Sequence, residues 1–359
     1  MFHSSTQRKY WTFANQDELD SHRRASHHRF IQERLRQKDC AAAQRLTSDL
    51  DAPYTDEMWD DLDHDVVEES FLTLREEFEM RRFFQTMLRE FCAKFKPEMP
   101  KSTIATGFAF FQRCYLNESV MRFHPKNMMI TCMWIAVKVD EFHVSMEQFI
   151  SHLRGDRQKA MDIILYNEPY VMQKLHFHLM VHLPYRSYEG FFIDIRARYR
   201  DRLKQSPEKL RPIIDKFLDQ SMFSDALLLY SPSQIALAAI FHAAEELKED
   251  LTGYIENVLV QHPITKPFSE ADDSEARAEE VMDQDEAEHG AQNSIHLLAV
   301  IDEIRHHVSE SAKQVVSKDQ IKKLEVKLES CKDPAFNPET EEYQRRLVSL
   351  FQMEVDEKF

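Results

Sequence analysis

Two oppositely charged residues stand among apolar neighbours near the middle of the chain. Lys138 ends an apolar helical segment that opens at Pro125, and Glu168 lies in the next long helical pattern, from about Arg157 to Phe177. Opposite charges on adjacent buried helices can form a pair at the surface, where a partner can engage both. The alternative is a lysine at a helix C-terminus, favoured by the helix dipole, with its ammonium group extended into water.

Histidines supply a second set of candidate residues. His176 and His178 alternate at the end of the segment that carries Glu168, and His64 precedes Asp65 in an acidic stretch. A metal phosphohydrolase centred on His64 and Asp65 is one alternative, although a lone His-Asp dipeptide in an acidic loop is weak evidence for one. Near His176 and His178 no third ligand stands at a recognisable spacing. We interpret His176 and His178 as structural and predict no metal site.

The sequence lacks the motifs of a catalytic or cofactor site. Its five glycines are too far apart to form a phosphate-binding loop, and neither His-Glu-x-x-His nor Gly-x-Ser-x-Gly occurs. The five cysteines show no Cys-x-x-Cys spacing, which argues against a zinc module and a disulfide framework. We therefore predict a protein without catalytic residues or cofactors, in a reducing intracellular compartment.

Helices must position the charged pair. Between Met128 and Val137 only Thr131 is polar, so this helix has no polar face. A helix that is apolar all round is buried on every side, and this one is too short to span a bilayer. The chain also contains only 5 glycines and 13 prolines in 359 residues, fewer than sheets and hairpins need. These observations predict an all-α fold around a central buried helix.

The pattern of the central helix occurs twice. When Pro125 is placed on Pro232, a shift of 107 residues, the apolar segment from Pro232 to Glu245 overlays the first one. Lys138 then falls on Glu245. The second copy keeps the packing residues and loses the lysine, as expected if Lys138 serves a partner and not the fold.

These residues resemble the cyclin box, which combines an apolar helix ending in Ala-x-Lys-x-x-Glu, here Ala136 to Glu141, with a later Glu-x6-Leu-x-Phe, here Glu168 to Phe177. Within the cyclin family the chain is similar to the cyclin H branch. That closer resemblance rests on six further strings in order: Tyr10–Phe13, Phe95–Pro100, Tyr115–Met121, Lys138–Phe142, Tyr185–Phe191 and Leu229–Ala236.

The resemblance implies two tandem five-helix cyclin-box repeats with extra N- and C-terminal helices. It also implies a non-catalytic subunit that binds and activates the catalytic subunit of a cyclin-dependent kinase, as part of the CDK-activating kinase. Such a complex phosphorylates the activation loops of other cyclin-dependent kinases and, within transcription factor IIH, the C-terminal domain of RNA polymerase II.

The same resemblance implies which residues bind the kinase. Lys138 and Glu168 match the charged clamp, and Phe177 and Leu179 match apolar positions that pack on the kinase's αC helix. Ile135 and Met172 are expected to line the same groove. Pro169 departs from the pattern, because a proline inside a helix removes a hydrogen bond and disturbs the direction of the Glu168 side chain.

The predicted organisation has six parts. They are an N-terminal arm and helix (1–46), an acidic linker (47–70), a first cyclin box (71–182), a second cyclin box (183–310) with an acidic insertion (263–293), a C-terminal helix (311–332) and a tail (333–359).

The charge of the chain bears on its partners. A net charge of −16 and a pI near 5.5 argue against direct binding of nucleic acid, and we predict no membrane attachment. The resemblance implies a RING-containing assembly factor and the core of transcription factor IIH as further partners, in the nucleus. Two alternatives remain: another transcriptional cyclin, or a cyclin-fold scaffold of the factor IIB type, which would be basic on its repeats.

Overall fold

The structure is a computed structural model that describes residues 2–37, 70–255, 284–336, 340, 341 and 343. All but the last residue of the predicted acidic linker, most of the acidic insertion and most of the tail lie outside the described residues. So does the pair of His64 and Asp65.

Every regular element in the described ranges is helical, which confirms the all-α prediction. The helices are α1 (Thr6–Tyr10), α2 (Gln16–Gln37), α3 (Leu74–Lys94), α4 (Lys101–Asn117), α5 (Pro125–Val139), α6 (Met146–Ser151), α7 (Arg157–Lys174), α8 (Pro184–Arg198), α9 (Arg211–Ser221), α10 (Ala226–Leu229), α11 (Pro232–Glu246), α12 (Thr252–Tyr254), α13 (Gln284–Lys313) and α14 (Lys318–Cys331).

The first compact unit contains the described residues between 3 and 181 together with those from 314 onwards. Helix α5 is its central element: it is buried from Met128 to Val137 and packs against α3, α4 and α7. At Gly107 of α4, an added Cβ would lie 2.5 Å from Met133 Cε of α5, so the absence of a side chain permits this close approach. The apolar sequence from Met128 to Val137 predicted this buried helix.

Buried charges hold the N- and C-terminal segments onto this unit. Asp333, which follows α14, accepts hydrogen bonds from Arg34 Nη1 of α2 and from Arg122 Nε, each at 3.3 Å. The Asp333 and Arg34 side chains are almost fully buried. A buried carboxylate needs such partners, since desolvation without them is costly.

The second unit, residues 182–313, contains a helix that matches α5. Helix α11 has the same length as α5 and also begins with a proline. Each helix is followed by a left-handed residue, Glu141 (φ 54°) and Lys248 (φ 56°), and these two residues are again 107 positions apart. The shift found in the sequence therefore relates the two helices down to their terminal turns.

Three helix boundaries differ from the predicted ones. Helix α7 ends at Lys174, before two residues with positive φ, His176 and Phe177. Helix α13 begins at Gln284, inside the predicted insertion, because an acidic stretch rich in Ala, Glu and Gln is also a good helix former.

The third difference concerns the residues from Pro207 to Tyr230, whose sequence predicts one helix but which the structure divides between α9 and α10. The Oγ of Ser221 donates to Leu218 O at 2.7 Å, and the Oγ of Ser224 donates to Ser221 O at 2.8 Å. Serine side chains that bond to nearby backbone groups compete with the helical hydrogen bonds, and here they accompany the end of α9.

Candidate functional site

Lys138 and Glu168 lie side by side at the surface of the first unit. Lys138 is in the last turn of α5, Glu168 is in the middle of α7, and the lysine Nζ donates to Glu168 Oε1. The lysine side chain is 44% exposed and the glutamate side chain 13% exposed. The pair therefore combines a half-buried carboxylate with an ammonium group that a partner can reach.

The surroundings of the pair affect its protonation. Partial burial lowers the pKa of Lys138 from its usual value. The Glu168 carboxylate acts in the opposite direction, because a neighbouring negative charge favours the charged form of a lysine.

Pro169 does not interrupt the helix that carries Glu168, since α7 runs from Arg157 to Lys174 through the proline. The turn after the proline is anchored by Glu118. Its Oε1 accepts a hydrogen bond from Tyr170 OH at 3.0 Å and forms an ion pair with Lys174. This anchor fixes the backbone beyond the missing hydrogen bond. Glu168 therefore faces Lys138 in spite of Pro169.

Apolar side chains surround the glutamate on α7. Leu165, Glu168 and Met172 share one face of the helix by their spacing. Leu165 is 52% exposed, and Met172 is half-buried. We call Lys138, Leu165, Glu168 and Met172 the α5–α7 face.

The segment after α7 adds further apolar surface. Phe177 is 63% exposed, Met180 is also exposed, and Leu179 is half-buried. Phe177 has a left-handed backbone (φ 56°), and its N–H donates to Met172 O at 2.9 Å, which turns the chain back against the end of α7. A non-glycine residue in this conformation is strained, and such strain is often kept at functional positions.

Ile135 is placed differently from the other predicted site residues. It is 1% exposed, in the core beneath the surface of α5. Ile135 therefore supports the α5–α7 face by packing and offers no surface of its own in this conformation.

His176 and His178 lie against the N-terminal arm. Trp11 Nε1 donates to His178 Nδ1 at 3.1 Å, and the Tyr10 ring stacks on the His178 ring at 5.0 Å between centroids. His178 is thus held as a hydrogen-bond acceptor. Among the described residues, no three His, Cys, Asp or Glu side chains are grouped so that they could hold a metal ion.

The second unit carries a charge-reversed counterpart of the pair. Glu245, the equivalent of Lys138, forms an ion pair with Arg305 of α13. Helices α7 and α13 also match in burial, because Ile164, Asn167 and Val171 are buried as are Ile301, Ile304 and Val308. In this alignment of the two helices, Arg305 occupies the position equivalent to Glu168.

The apolar side chains of the α5–α7 face have no counterparts in the second unit. On the same match of α7 with α13, Asp302 stands in place of Leu165 and Ser309 in place of Met172. The second unit has therefore kept an ion pair between equivalent helices and lost the exposed apolar groups beside it.

Two features of this region were absent from the predictions. The exposed Leu165 stands three residues before Glu168, a spacing that could have indicated its place on the same face. The pairing of Glu245 with Arg305 joins residues far apart in the sequence, and no local pattern indicates it. Within the described part of the chain, no helix is long and apolar enough to cross a membrane.

Comparisons with known proteins identify the family. The model of the cyclin N-terminal domain matches residues 58–180, and that of the cyclin C-terminal domain matches residues 183–332. The chain is 38% identical to Cyclin-H of Xenopus laevis over 262 residues, 72% of this chain and 73% of that protein. It is 33% identical to Cyclin-H1-1 of Arabidopsis thaliana, over 72% of this chain and 76% of that protein.

Solved structures share the fold. The chain matches a chain from the structure of the CAK complex of Chaetomium thermophilum bound to ATP-gamma-S, with a TM-score of 0.66 and 20% identity, over 99% of this chain and 94% of that chain. It also matches a chain of the yeast TFIIK (Kin28/Ccl1/Tfb3) complex, with a TM-score of 0.52 and 19% identity, over 85% and 99%.

The chain belongs to the cyclin family, and within it to the cyclin H branch. Members of this branch are regulatory subunits of a kinase complex and are not catalytic themselves. The predictions of fold class, family and non-catalytic role are thereby confirmed.

Proposed function

We propose that the α5–α7 face, together with Phe177 and Leu179, binds the catalytic subunit of a cyclin-dependent kinase. Exposed apolar side chains beside a half-buried ion pair form the kind of surface that a helix of another protein covers. The observation that carries the proposal is the difference between the repeats. The fold tolerates Asp302 and Ser309 at the equivalent positions, so packing within the chain does not require Leu165 and Met172 to be apolar.

The chemistry of the face suits a kinase αC helix and the backbone that precedes it. The ammonium group of Lys138 is a donor for backbone carbonyls, and the Glu168 carboxylate is an acceptor for backbone N–H groups. Leu165, Met172 and Phe177 then bury apolar side chains of the helix. Holding that helix in place completes the Lys–Glu pair that a protein kinase needs around ATP.

The proposal extends to the assembly in which the pair works. With the kinase, the chain forms a CDK-activating kinase whose substrates are activation loops of other cyclin-dependent kinases and the C-terminal domain of RNA polymerase II. A RING-containing assembly factor and the core of transcription factor IIH join it in the nucleus. Support comes from the family of the chain and from the CAK and TFIIK complexes that contain its structural neighbours.

Calorimetric titration with a purified CDK-activating-kinase catalytic subunit tests the proposed surface. E168A leaves Lys138 without its partner, and we expect a loss of about 2 to 5 kcal/mol in binding free energy. E245A is the matched control, because it breaks the equivalent ion pair in the second unit and should leave kinase affinity unchanged.

Kinase activity on a peptide of the polymerase C-terminal repeat should fall with E168A at limiting cyclin and recover at saturating cyclin. Unchanged affinity for E168A in a protein with a normal melting curve would rule out the proposed surface. An equal loss for E245A would also contradict it.

A further inference from the structure

A tryptophan lies directly beneath the lysine of the α5–α7 face. Trp134 precedes Lys138 by one helical turn, and the Lys138 Nζ is 5.7 Å from the centroid of the Trp134 ring. This distance is within the range in which an ammonium group is attracted by the π face of an indole. The Lys138 ammonium group thus contacts both the indole ring and the Glu168 carboxylate.

The indole is an unexpected choice for a buried position. Trp134 is 8% exposed, and its buried Nε1 donates to no acceptor among the described residues. A buried donor without a partner lowers stability, and phenylalanine would fill most of the same space without one. The feature that tryptophan adds over phenylalanine is a stronger π face for a cation.

The second unit again provides a comparison. Trp134 corresponds to Phe241 under the shift of 107 residues, one turn before Glu245. A carboxylate gains nothing from an aromatic face, since both are electron-rich. The tryptophan therefore occurs in the repeat where the residue above it is a cation.

We propose that Trp134 is a positioning residue for kinase binding, whose indole face holds the Lys138 ammonium group in the orientation that Glu168 completes. The inference rests on the proposed function, because it concerns the same surface. It assigns to a core residue a contribution to affinity that passes entirely through Lys138.

A double-mutant cycle measures that contribution. W134L removes the ring, and we expect the affinity for the purified kinase subunit to fall about three- to tenfold. W134F keeps an aromatic face with a weaker attraction for a cation, so its affinity should lie between those of the wild type and W134L. In the K138M background, W134L should have no further effect, because the cation is already absent.

A second measurement needs no kinase. In protein labelled with ¹³C at the lysine ε-carbon, the Lys138 signal, assigned by its absence in K138M, should show an upfield ring-current shift. W134L should abolish the shift and W134F should largely retain it. F241L is the matched core control, and should change neither the shift nor the affinity.

An unshifted Lys138 signal in the wild type would overturn the inference, and so would an equal loss from W134L with and without Lys138. If W134L fails to fold, the wild-type and W134F spectra still decide. If K138M and E168A leave kinase affinity unchanged, the proposed function fails, while the ring-current result still tells whether Trp134 positions Lys138.

Discussion

At the scale of the residue, the proposed kinase-binding surface combines side chains whose present types the fold does not require. Phe177 is exposed and left-handed, and Leu165 is exposed on a helix whose counterpart carries Asp302. The sequence indicated Lys138 and Glu168, because isolated charges in apolar surroundings stand out. It did not indicate Trp134, because a tryptophan within an apolar helical segment is typical of a core residue. Only its distance to Lys138 in the structure sets it apart.

Phe177 should show opposite effects on stability and binding. We expect F177G to raise the free energy of unfolding by about 0.5 to 1 kcal/mol. Glycine adopts positive φ without strain, and this gain exceeds the cost of the extra backbone entropy that glycine loses on folding. The same change should weaken kinase binding, since an apolar contact disappears. Chemical denaturation and titration with the kinase subunit measure the two effects.

Lys248 provides the control for Phe177. It has the same φ of 56° and follows α11, the central helix of the second unit, outside the proposed kinase-binding surface. K248G should stabilise the protein and leave kinase affinity unchanged. A destabilising F177G, or one with full affinity, would contradict the role given to Phe177.

At the scale of the element, several helices could be predicted because their signals are local. The proline in the first turn of α5 is an example, and the structure places it at the start of that helix. The break after α9 and the early start of α13 could not be predicted in the same way. At the break after α9, serine side chains compete for the backbone hydrogen bonds of the helix. At the start of α13, the acidic composition is equally typical of a helix and of a linker.

The N-terminus of α5 should make stability depend on pH. His124 Nδ1 accepts from Lys126 N–H at 3.1 Å, and burial, with the charges of Lys332 and Lys126, lowers the pKa of His124 to about 4. Between that value and the ordinary pKa near 6.5, the unfolded chain takes up a proton that the folded protein does not. Stability is therefore complete above about pH 6.5 and is lost as pH falls towards 4, by at most about 3 kcal/mol.

Denaturation of H124N across this range measures the effect. Asparagine is a good N-cap and does not titrate. The variant should therefore show a shallower pH dependence than the wild type. The same slope for both proteins would show that His124 is not the group responsible.

At the scale of the whole molecule, the two repeats share their packing residues but differ in the charges of the equivalent ion pair. Each holds an ion pair between matching helices: Lys138 of α5 pairs with Glu168 of α7, and Glu245 of α11 pairs with Arg305 of α13. The repeat could be found in the sequence because its packing residues recur at a constant shift. The ion pair of Arg305 with Glu245 and the contacts of Asp333 with two arginines could not be predicted from the sequence, since they join segments that are far apart in the chain.

The first unit should depend on its C-terminal segment. D333A leaves Arg34 and Arg122 without the carboxylate that both contact, and Arg34 is almost fully buried. We expect a loss of about 3 to 5 kcal/mol in the free energy of unfolding, measured by chemical denaturation. E329A breaks a nearby exposed pair with Lys332 and should cost less than about 1 kcal/mol. Similar small losses for both would contradict the role of the network.

The most direct test exchanges the pair of the first unit for that of the second. K138E/E168R keeps an ion pair between α5 and α7 but reverses both charges, as Glu245 and Arg305 do in the second unit. We predict a melting temperature close to that of the wild type. We also predict that the affinity for the purified catalytic subunit, measured by titration, falls by at least about a hundredfold. Wild-type affinity in this folded variant would contradict the claim that Lys138 and Glu168 bind the kinase.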